Sequence, residues 1–297
     1  MRKPVMQTGS SFSSPVSRLF VALFLIACGS ERSTATAEEA PEQPAEAAGA
    51  EAMVEPAARA EAAEPAPETP EPEAGPPSSE GWNSVVATYV TDDGGFRYAA
   101  LREHDEHKAL LASYVAEIGA ASDDEWERDA ALAFYINAYN ALTVSSVLEL
   151  WPVESVMQED GFFDGRKHMV AGAEMTLNDL ENTIIRGERF AEPRIHFAVN
   201  CASVGCPPLQ NEAFTAANLE AKLAAATQAF VRASTRFGRR DVQLSQIFEW
   251  FAGDFEAVGG VRSFVAAQLE GEEAERVANE RTRIRHFDYD WDLNGRE

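Results

Sequence analysis

The chain has 297 residues and carries 25 Lys and Arg against 49 Asp and Glu, which gives a formal net charge of −24. Hydrophobic residues make up 45% and aromatic residues 9%, and this composition excludes a collagen-like, wholly disordered or multi-span membrane chain. We expect no nucleic-acid partner, because an acidic chain without a basic block repels phosphate backbones. The three cysteines are too few for a disulfide scaffold, so a hydrophobic core must hold the fold.

The chain begins with a pattern typical of a secretory signal peptide. Arg2, Lys3 and Arg18 precede an apolar run over residues 19–27. This run is far shorter than the roughly 20 residues that cross a bilayer as a helix. The pattern therefore predicts a signal peptide over residues 1–27 and no transmembrane helix there.

The apolar run ends in Leu25-Ile26-Ala27-Cys28, which resembles the lipobox of bacterial lipoproteins. The resemblance implies cleavage before Cys28 and palmitate-type acylation there, so the mature protein is lipid-anchored to a bilayer through Cys28. Gly29, rather than Asp, after the cysteine implies sorting to the outer membrane, with the chain facing the periplasm. A plain signal peptide with an incidental cysteine stays open as the alternative.

Residues 31–80 are rich in Ala, Glu and Pro and contain no aromatic residue. Met53 and Val54 are the only bulky aliphatic residues there, so this stretch cannot bury enough surface to offset its ordering entropy. We predict a disordered tether over residues 28–80, followed by one domain over residues 81–297.

The domain alternates helical and strand-like patterns. A capping box at Ser122-Asp123-Asp124-Glu125 is expected to open a long helix that Trp151-Pro152 ends and that is buried all round. The other predicted helices cover residues 82–90, 103–118, 177–186, 215–231, 245–251 and 261–269, and Thr176 is expected to cap the third of them. A hairpin of 165–170 with 173–175 around Ala171-Gly172 and strands over 194–199 and 283–291 are also predicted. They predict a helix-rich α+β fold, a single mixed domain with a buried central helix and a small, mostly antiparallel sheet. A papain/transglutaminase-like arrangement is one candidate for it.

Two amides lie three residues apart on the predicted buried helix, at Asn137 and Asn140. Buried amides must be paired, so one interpretation is that they hydrogen-bond to neighbouring backbone in the core. The other is that they line a cleft and donate to a reacting oxygen, as an oxyanion hole does. We favour the first interpretation, and the second stays open.

Several segments together resemble the Domain of Unknown Function 547 (DUF547) family. They are Ala133-Phe134-Tyr135-Ile136-Asn137-Ala138-Tyr139-Asn140-Ala141, Leu177-Asn178-Asp179-Leu180-Glu181, Pro193-Arg194-Ile195-His196-Phe197-Ala198-Val199-Asn200-Cys201, Gly205-Cys206-Pro207-Pro208, Gln246-Ile247-Phe248-Glu249-Trp250-Phe251 with Asp254-Phe255, and Tyr289-Asp290-Trp291-Asp292-Leu293-Asn294. Asn182 stands where the family usually has His, and Tyr135 stands where it usually has Trp. The family has no settled activity, so the resemblance implies a residue pattern and no reaction.

The residue types in this pattern fit a cysteine nucleophile system. Cys201 or Cys206 would supply the thiolate, His196 would accept its proton, and Glu181 would orient the imidazole ring. Asn137, Asn140 and Arg194 are candidates to orient the substrate or to stabilise an oxyanion. On the predicted strand, His196 shares a face with Arg194, so we expect it to face a polar cleft.

Two alternatives stay open for the same cysteines. A Cys201–Cys206 disulfide would clamp the loop in an oxidising periplasm. A metal site built from His196, Cys201 and Cys206 is the weaker alternative, because their spacing matches none of the usual zinc motifs. We assign neither a metal nor a cofactor, since phosphate-binding loops and serine nucleophile elbows are also missing from the sequence.

Two functions are consistent with these patterns. The first is a periplasmic cysteine-dependent acyl-transfer enzyme, a hydrolase or transferase acting on amide or thioester bonds of an unknown envelope substrate. The second is a non-catalytic, disulfide-clamped module that binds a partner protein at the cell envelope.

Overall fold

The computed structural model describes residues 75–295. The predicted signal peptide, Cys28 and nearly all of the predicted tether lie outside the described residues. The α-helices are α1 (Glu80–Tyr89), α2 (Tyr98–Arg102), α3 (Asp105–Ala120), α4 (Arg128–Leu150), α5 (Leu177–Asp179), α6 (Leu219–Ser234), α7 (Ile247–Trp250), α8 (Gly260–Ala267) and α9 (Gly271–Ala278). The strands are β1 (Lys167–Val170), β2 (Ala173–Thr176), β3 (Arg236–Phe237), β4 (Asp241–Ser245) and β5 (Arg283–Phe287). The fold is therefore helix-rich α+β, as predicted.

Helix α4 is the buried central helix. Nearly every side chain from Ala131 to Val147 is buried, because this segment is apolar on all sides. By length and composition α4 could cross a membrane, but 89% of its most apolar window is buried inside the domain, as in a core helix. The helix ends at Leu150, before the cis peptide bond between Trp151 and Pro152.

The described residues form two small sheets. Strands β1 and β2 make an antiparallel hairpin whose turn places Ala171 and Gly172 at positive φ, and β2 ends at Thr176. Thr176 then caps α5 in a reciprocal capping box with Asp179. In the second sheet, β4 pairs antiparallel with β3 and parallel with β5. The hairpin and the cap confirm the sequence predictions for this stretch.

Apolar side chains pack into two clusters that meet at a short 3₁₀ helix, Pro193–Phe197. Ile195 belongs to the larger cluster around α1, α3 and α4. Phe197 belongs to the second cluster, where it contacts Phe230, Phe248 and Phe264 with ring centroids 5.3, 5.7 and 5.8 Å apart. The 3₁₀ helix thus joins the two halves of the core.

The predicted strand over 194–199 is wrong, since residues 193–197 form this 3₁₀ helix. Period-two alternation of apolar residues suggested a strand, but Ile195 and Phe197 fill different clusters rather than one face. His196 between them is itself buried, at 2% exposure, and does not face an open cleft.

Several predicted element ends are also wrong. Helix α4 begins at Arg128, and the Ser122 hydroxyl instead bonds the Asp124 side chain. Helix α6 begins at Leu219, after a turn in which Thr215 and Asn218 hydrogen-bond to each other. The last strand ends at Phe287, and residues 245–251 divide into the end of β4 and the short α7. At the starts of α4 and α6, side-chain hydrogen bonds near the terminus compete with regular structure.

Candidate functional site

The helix that follows the hairpin widens into a π-helix, Leu180–Ile185. The backbone N–H of Arg186 donates to the carbonyl of Glu181 at 2.9 Å, five residues back. Such wide turns are rare and often occur at functional sites. Glu181 lies on this π-helix and Arg186 directly follows it, and both contribute charged side chains to the site.

His196 and Arg186 share one carboxylate, that of Asp254. His196 Nε2 lies 2.7 Å from Asp254 Oδ2. Arg186 donates to both oxygens of Asp254, from Nε at 2.6 Å and from the second guanidinium nitrogen at 2.8 Å. The His196 ring stacks on Phe251 with centroids 4.0 Å apart, and the Arg186 guanidinium lies 4.8 Å from the same ring. Asp254 is therefore the centre of this polar cluster.

The two carboxyls of the cluster have opposite pKa shifts. Partial burial of Asp254 favours its neutral form, but hydrogen bonds from Arg186 and His196 outweigh burial and hold the pKa of its carboxyl well below the usual range. Burial raises the pKa of the Glu181 carboxyl, despite the attraction of His196 and Arg186 and an interaction with the Tyr139 hydroxyl. Burial and the nearby Glu181 also raise the pKa of Tyr139, so its hydroxyl stays protonated. Asp254 is thus firmly anionic, whereas Glu181 is more readily protonated.

Cys201 and Cys206 form a disulfide bond, with their Cα atoms 6.2 Å apart. The Tyr289 hydroxyl lies 3.1 Å from Cys206 Sγ and 3.3 Å from Cys201 Sγ. Burial raises the pKa of Tyr289, and the Glu181 carboxylate raises it further. Tyr289 thus contacts the disulfide and lies close enough to Glu181 for the two groups to interact electrostatically.

A buried network of amides holds the cysteine loop against α4. Asn140 donates to the carbonyl of Ala198 at 2.9 Å and accepts from the backbone N–H of Asn200 at 2.8 Å. The Asn200 side chain in turn bonds the backbone of Ala202 and Pro207 and the amide of Asn294. Both the NH₂ group and the oxygen of the Asn140 amide therefore hold this loop in position.

Two other predicted site residues lie in similar structural roles. Asn137 donates to the carbonyl of Phe214 at 2.7 Å and accepts from its N–H at 2.9 Å. Arg194 forms ion pairs with Glu192 and Glu220, both at 2.7 Å, rather than with the polar cluster. The structure does not bring either residue together with His196 and Glu181.

Asn182, at the position where the resemblance implies a histidine, lies beside the cluster. Its side chain is exposed, bonds Asn178 at 2.9 Å and accepts from Arg186. Asn182 therefore supports the guanidinium that contacts Asp254, but it supplies no titratable group at pH 7.

Sequence reasoning missed Arg186 and Asp254 as site residues. Asp254 lies 58 residues from its His196 partner along the chain, so no local spacing connects the two. The only available signal was the family-like segment that contains Asp254-Phe255. Within residues 75–295, no group of three or more His, Cys, Asp or Glu side chains is arranged to hold a metal ion.

Comparison with known proteins matches part of the chain to a family model. No curated protein and no solved structure matches the chain significantly. Residues 124–231 match the family model described as "Protein of unknown function, DUF547". This span includes α4, the π-helix with Glu181, His196 and the disulfide loop, and it ends before Asp254 and Tyr289. Over residues 124–231 the chain is therefore similar to the DUF547 family.

Proposed function

We propose that the chain is an envelope lipoprotein whose folded part is a non-catalytic, disulfide-clamped binding module. The observation that carries the proposal is the Cys201–Cys206 bond. A cysteine nucleophile acts as the thiolate, and a sulfur in a disulfide has no thiolate to offer. The oxidised domain therefore lacks the nucleophile that an acyl-transfer enzyme of this type requires.

The surroundings of His196 support the same function. Its ring is 2% exposed, stacks on Phe251 and directs Nε2 to the Asp254 carboxylate. A general base must reach the proton it abstracts, whereas this nitrogen is engaged in a charge-assisted hydrogen bond inside the core. In the module, the cluster of His196, Asp254 and Arg186 connects the 3₁₀ helix to the π-helix and to the segment after α7.

A clamped loop suits binding because it presents a surface of fixed shape. The disulfide closes the turn, the Asn140 and Asn200 amides hold its two sides, and Val204 at its tip is 43% exposed. Binding by a preorganised loop avoids the entropy that a mobile loop loses when it is ordered by its partner.

A cysteine-dependent acyl-transfer enzyme is the second candidate, and one observation favours it. An imidazole that is oriented by a carboxylate is the arrangement that prepares a general base, and His196 with Asp254 forms such a pair. Reduction of the disulfide by a thiol reductant would release two thiols, one of which would act as the nucleophile.

Thiol labelling separates the two functions. The purified full chain is treated with iodoacetamide at pH 7 without reductant, and the peptide that contains both Cys201 and Cys206 is examined by mass spectrometry. We expect no label before reduction, two labels after it, and an ordinary alkylation rate in the reduced protein. Rapid alkylation of one thiol that His196→Ala slows, with the fold intact, would instead establish the enzyme.

The lipoprotein part of the proposal rests on the lipobox-like segment at Cys28 and needs its own test. Cys28→Ala should abolish membrane fractionation, because a thiol acylated there is the anchor. The matched control is Cys201→Ser with Cys206→Ser, which also removes cysteines but leaves Cys28 in place. Normal membrane partition of Cys28→Ala would contradict the anchor.

A further inference from the structure

Three aromatic side chains form a surface cluster beside the disulfide. Trp250 ends α7, and Tyr289 and Trp291 follow β5. Ring centroids are 4.9 Å apart for Trp250 and Tyr289, 4.6 Å for Tyr289 and Trp291, and 5.9 Å for the two tryptophans. Trp250 is 45% exposed and the other two are partly exposed. We call these three residues the aromatic cluster.

Two neighbouring rings already make cation–π contacts with Arg side chains of the chain itself. The aromatic cluster makes no such contact with any of the described residues. Arg186 lies 4.8 Å from the ring of Phe251, next to Trp250 in sequence, and Arg236 lies 3.8 Å from the ring of Phe287. Between residues 75 and 295, no Lys or Arg side chain lies over Trp250, Tyr289 or Trp291. The cluster therefore leaves electron-rich ring faces for an external cation.

The acidic residues that alternate with the cluster residues are also unneutralised. Asp288, Asp290 and Asp292 are exposed, and no side chain in the described part of the chain forms an ion pair with them. Glu249, which precedes Trp250, is already paired with His286 at 3.6 Å. The Asp290 carboxylate accepts the backbone N–H of Asp292 at 3.0 Å and so keeps its negative charge. Three carboxylates without an ion-pair partner among the described residues, next to exposed aromatic rings, attract cations and repel anions, and the net charge of −24 acts in the same direction.

The disulfide fixes the position of the cluster. The Tyr289 hydroxyl contacts both sulfurs, and the carbonyls of Asp290 and Asp292 accept from the N–H groups of Gly205 and Val204, each at 2.8 Å. The cluster is thus held against the loop that the disulfide closes. A preorganised aromatic surface of this kind is typical of binding sites.

From these contacts we propose that the aromatic cluster, with Asp288, Asp290 and Asp292, binds a basic peptide segment, whose Lys or Arg side chains lie over the rings. The inference rests on the proposed binding function and names its partner chemistry. The carboxylates increase the rate of encounter, and the ring faces select cationic side chains over other polar groups.

The test is a titration of the purified full chain, with its disulfide intact, against an acetylated lysine-rich peptide, followed by calorimetry. Trp250→Ala with Trp291→Ala removes the ring faces and leaves the charge unchanged, so we expect affinity to fall at least tenfold. Trp250→Leu with Trp291→Leu keeps apolar area without a π face and should weaken binding to a similar degree. This second pair also serves if the alanine variant fails to fold.

A charge-matched pair of variants tests the carboxylates. Asp288→Asn with Asp292→Asn should weaken binding several-fold. Glu125→Gln with Glu188→Gln removes the same amount of charge from other exposed positions. This pair should change affinity by less than about twofold, because salt screens the interaction between the peptide and charges that lie far from it. Equal losses in both pairs, or full affinity in the tryptophan variants, would mean that binding reflects net charge alone and would overturn the proposal.

Two further outcomes separate this inference from the proposed function. If the lysine-rich peptide does not bind while Cys201 and Cys206 stay unlabelled, the module stands and its ligand is not a basic peptide. If vesicles with amine headgroups bind in place of the peptide, the partner class is wrong. Rapid labelling of a native cysteine would reject the module even where the peptide binds.

Discussion

Asp254→Asn is the most informative single substitution in the polar cluster. The carboxylate accepts two hydrogen bonds from Arg186, at 2.6 and 2.8 Å, and lies 2.7 Å from His196 Nε2. Asparagine has nearly the same shape but no charge, and its NH₂ group must face one of these donors. The variant therefore tests the bonding of the cluster without opening a cavity.

The expected loss follows from these contacts. A hydrogen bond to a charged group contributes about 1.5–3 kcal/mol, and removing one partner of a buried ion pair costs about 3–5 kcal/mol. The Asp254 and Arg186 side chains are 25% and 23% exposed, so solvent screening reduces these figures. We expect Asp254→Asn to lower the free energy of unfolding by about 2–4 kcal/mol at pH 7.

The pH dependence of this loss distinguishes the lowered pKa from a packing defect. Because the folded state holds the Asp254 pKa below its ordinary value of 3.8, the carboxylate stabilises the fold fully above that value and progressively less as the pH falls through the lowered folded value. Urea unfolding of parent and variant should therefore differ by a constant amount from pH 7 to about 5 and converge below about 4. Asp292→Asn on the surface is the matched control, with a change within about 0.5 kcal/mol. A loss at Asp254 below this limit, or one that persists undiminished in acid, would refute the reasoning.

Three further outcomes are expected. Deleting residues 31–78 from the full chain should leave the melting temperature within about 2 °C, because the segment has almost no bulky apolar residue, and a larger fall in calorimetry would mean that it docks on the domain. Glu181→Gln should become more stable relative to the parent as the pH rises above 4.5, the ordinary pKa of a Glu carboxyl. The reason is that the folded state raises the pKa of Glu181, so the parent loses stability when this carboxyl ionises. Urea midpoints of parent and variant that move in parallel with pH would contradict this. Asn140→Leu should cost about 2–4 kcal/mol in urea unfolding, because it leaves the Ala198 carbonyl and the Asn200 N–H unpaired in the core, whereas the exposed control Asn211→Leu should be nearly neutral.

Local sequence patterns were sufficient to predict an element where the residues that stabilise it lie close together in the chain. The apolar run from Ala130 to Ile136 predicted a helix buried on all sides, because no polar face remains to meet water. Ala171-Gly172 and Thr176 predicted the hairpin turn and the following helix start, since turn and cap bonds join residues a few positions apart.

The site required long-range information. Alternating apolar residues predicted a strand around His196, yet Ile195 and Phe197 alternate because they fill two different hydrophobic clusters. A pattern of burial along the chain does not specify which cluster each side chain enters. In addition, both a helical and a strand periodicity fit so short a segment.

The sequence by itself determined the acidic character and the helix-rich α+β class, and it singled out His196, Glu181, Cys201 and Cys206 as candidate site residues. Only the tertiary structure decided that His196 is buried against Asp254, that Arg186 completes their ion pair and that Tyr289 lies on the disulfide. These partners are 58, 68 and 83 residues apart along the chain. Their contacts depend on how α4, the π-helix and the C-terminal sheet pack around one another, because side chains this distant in sequence meet only through the packing of the whole core.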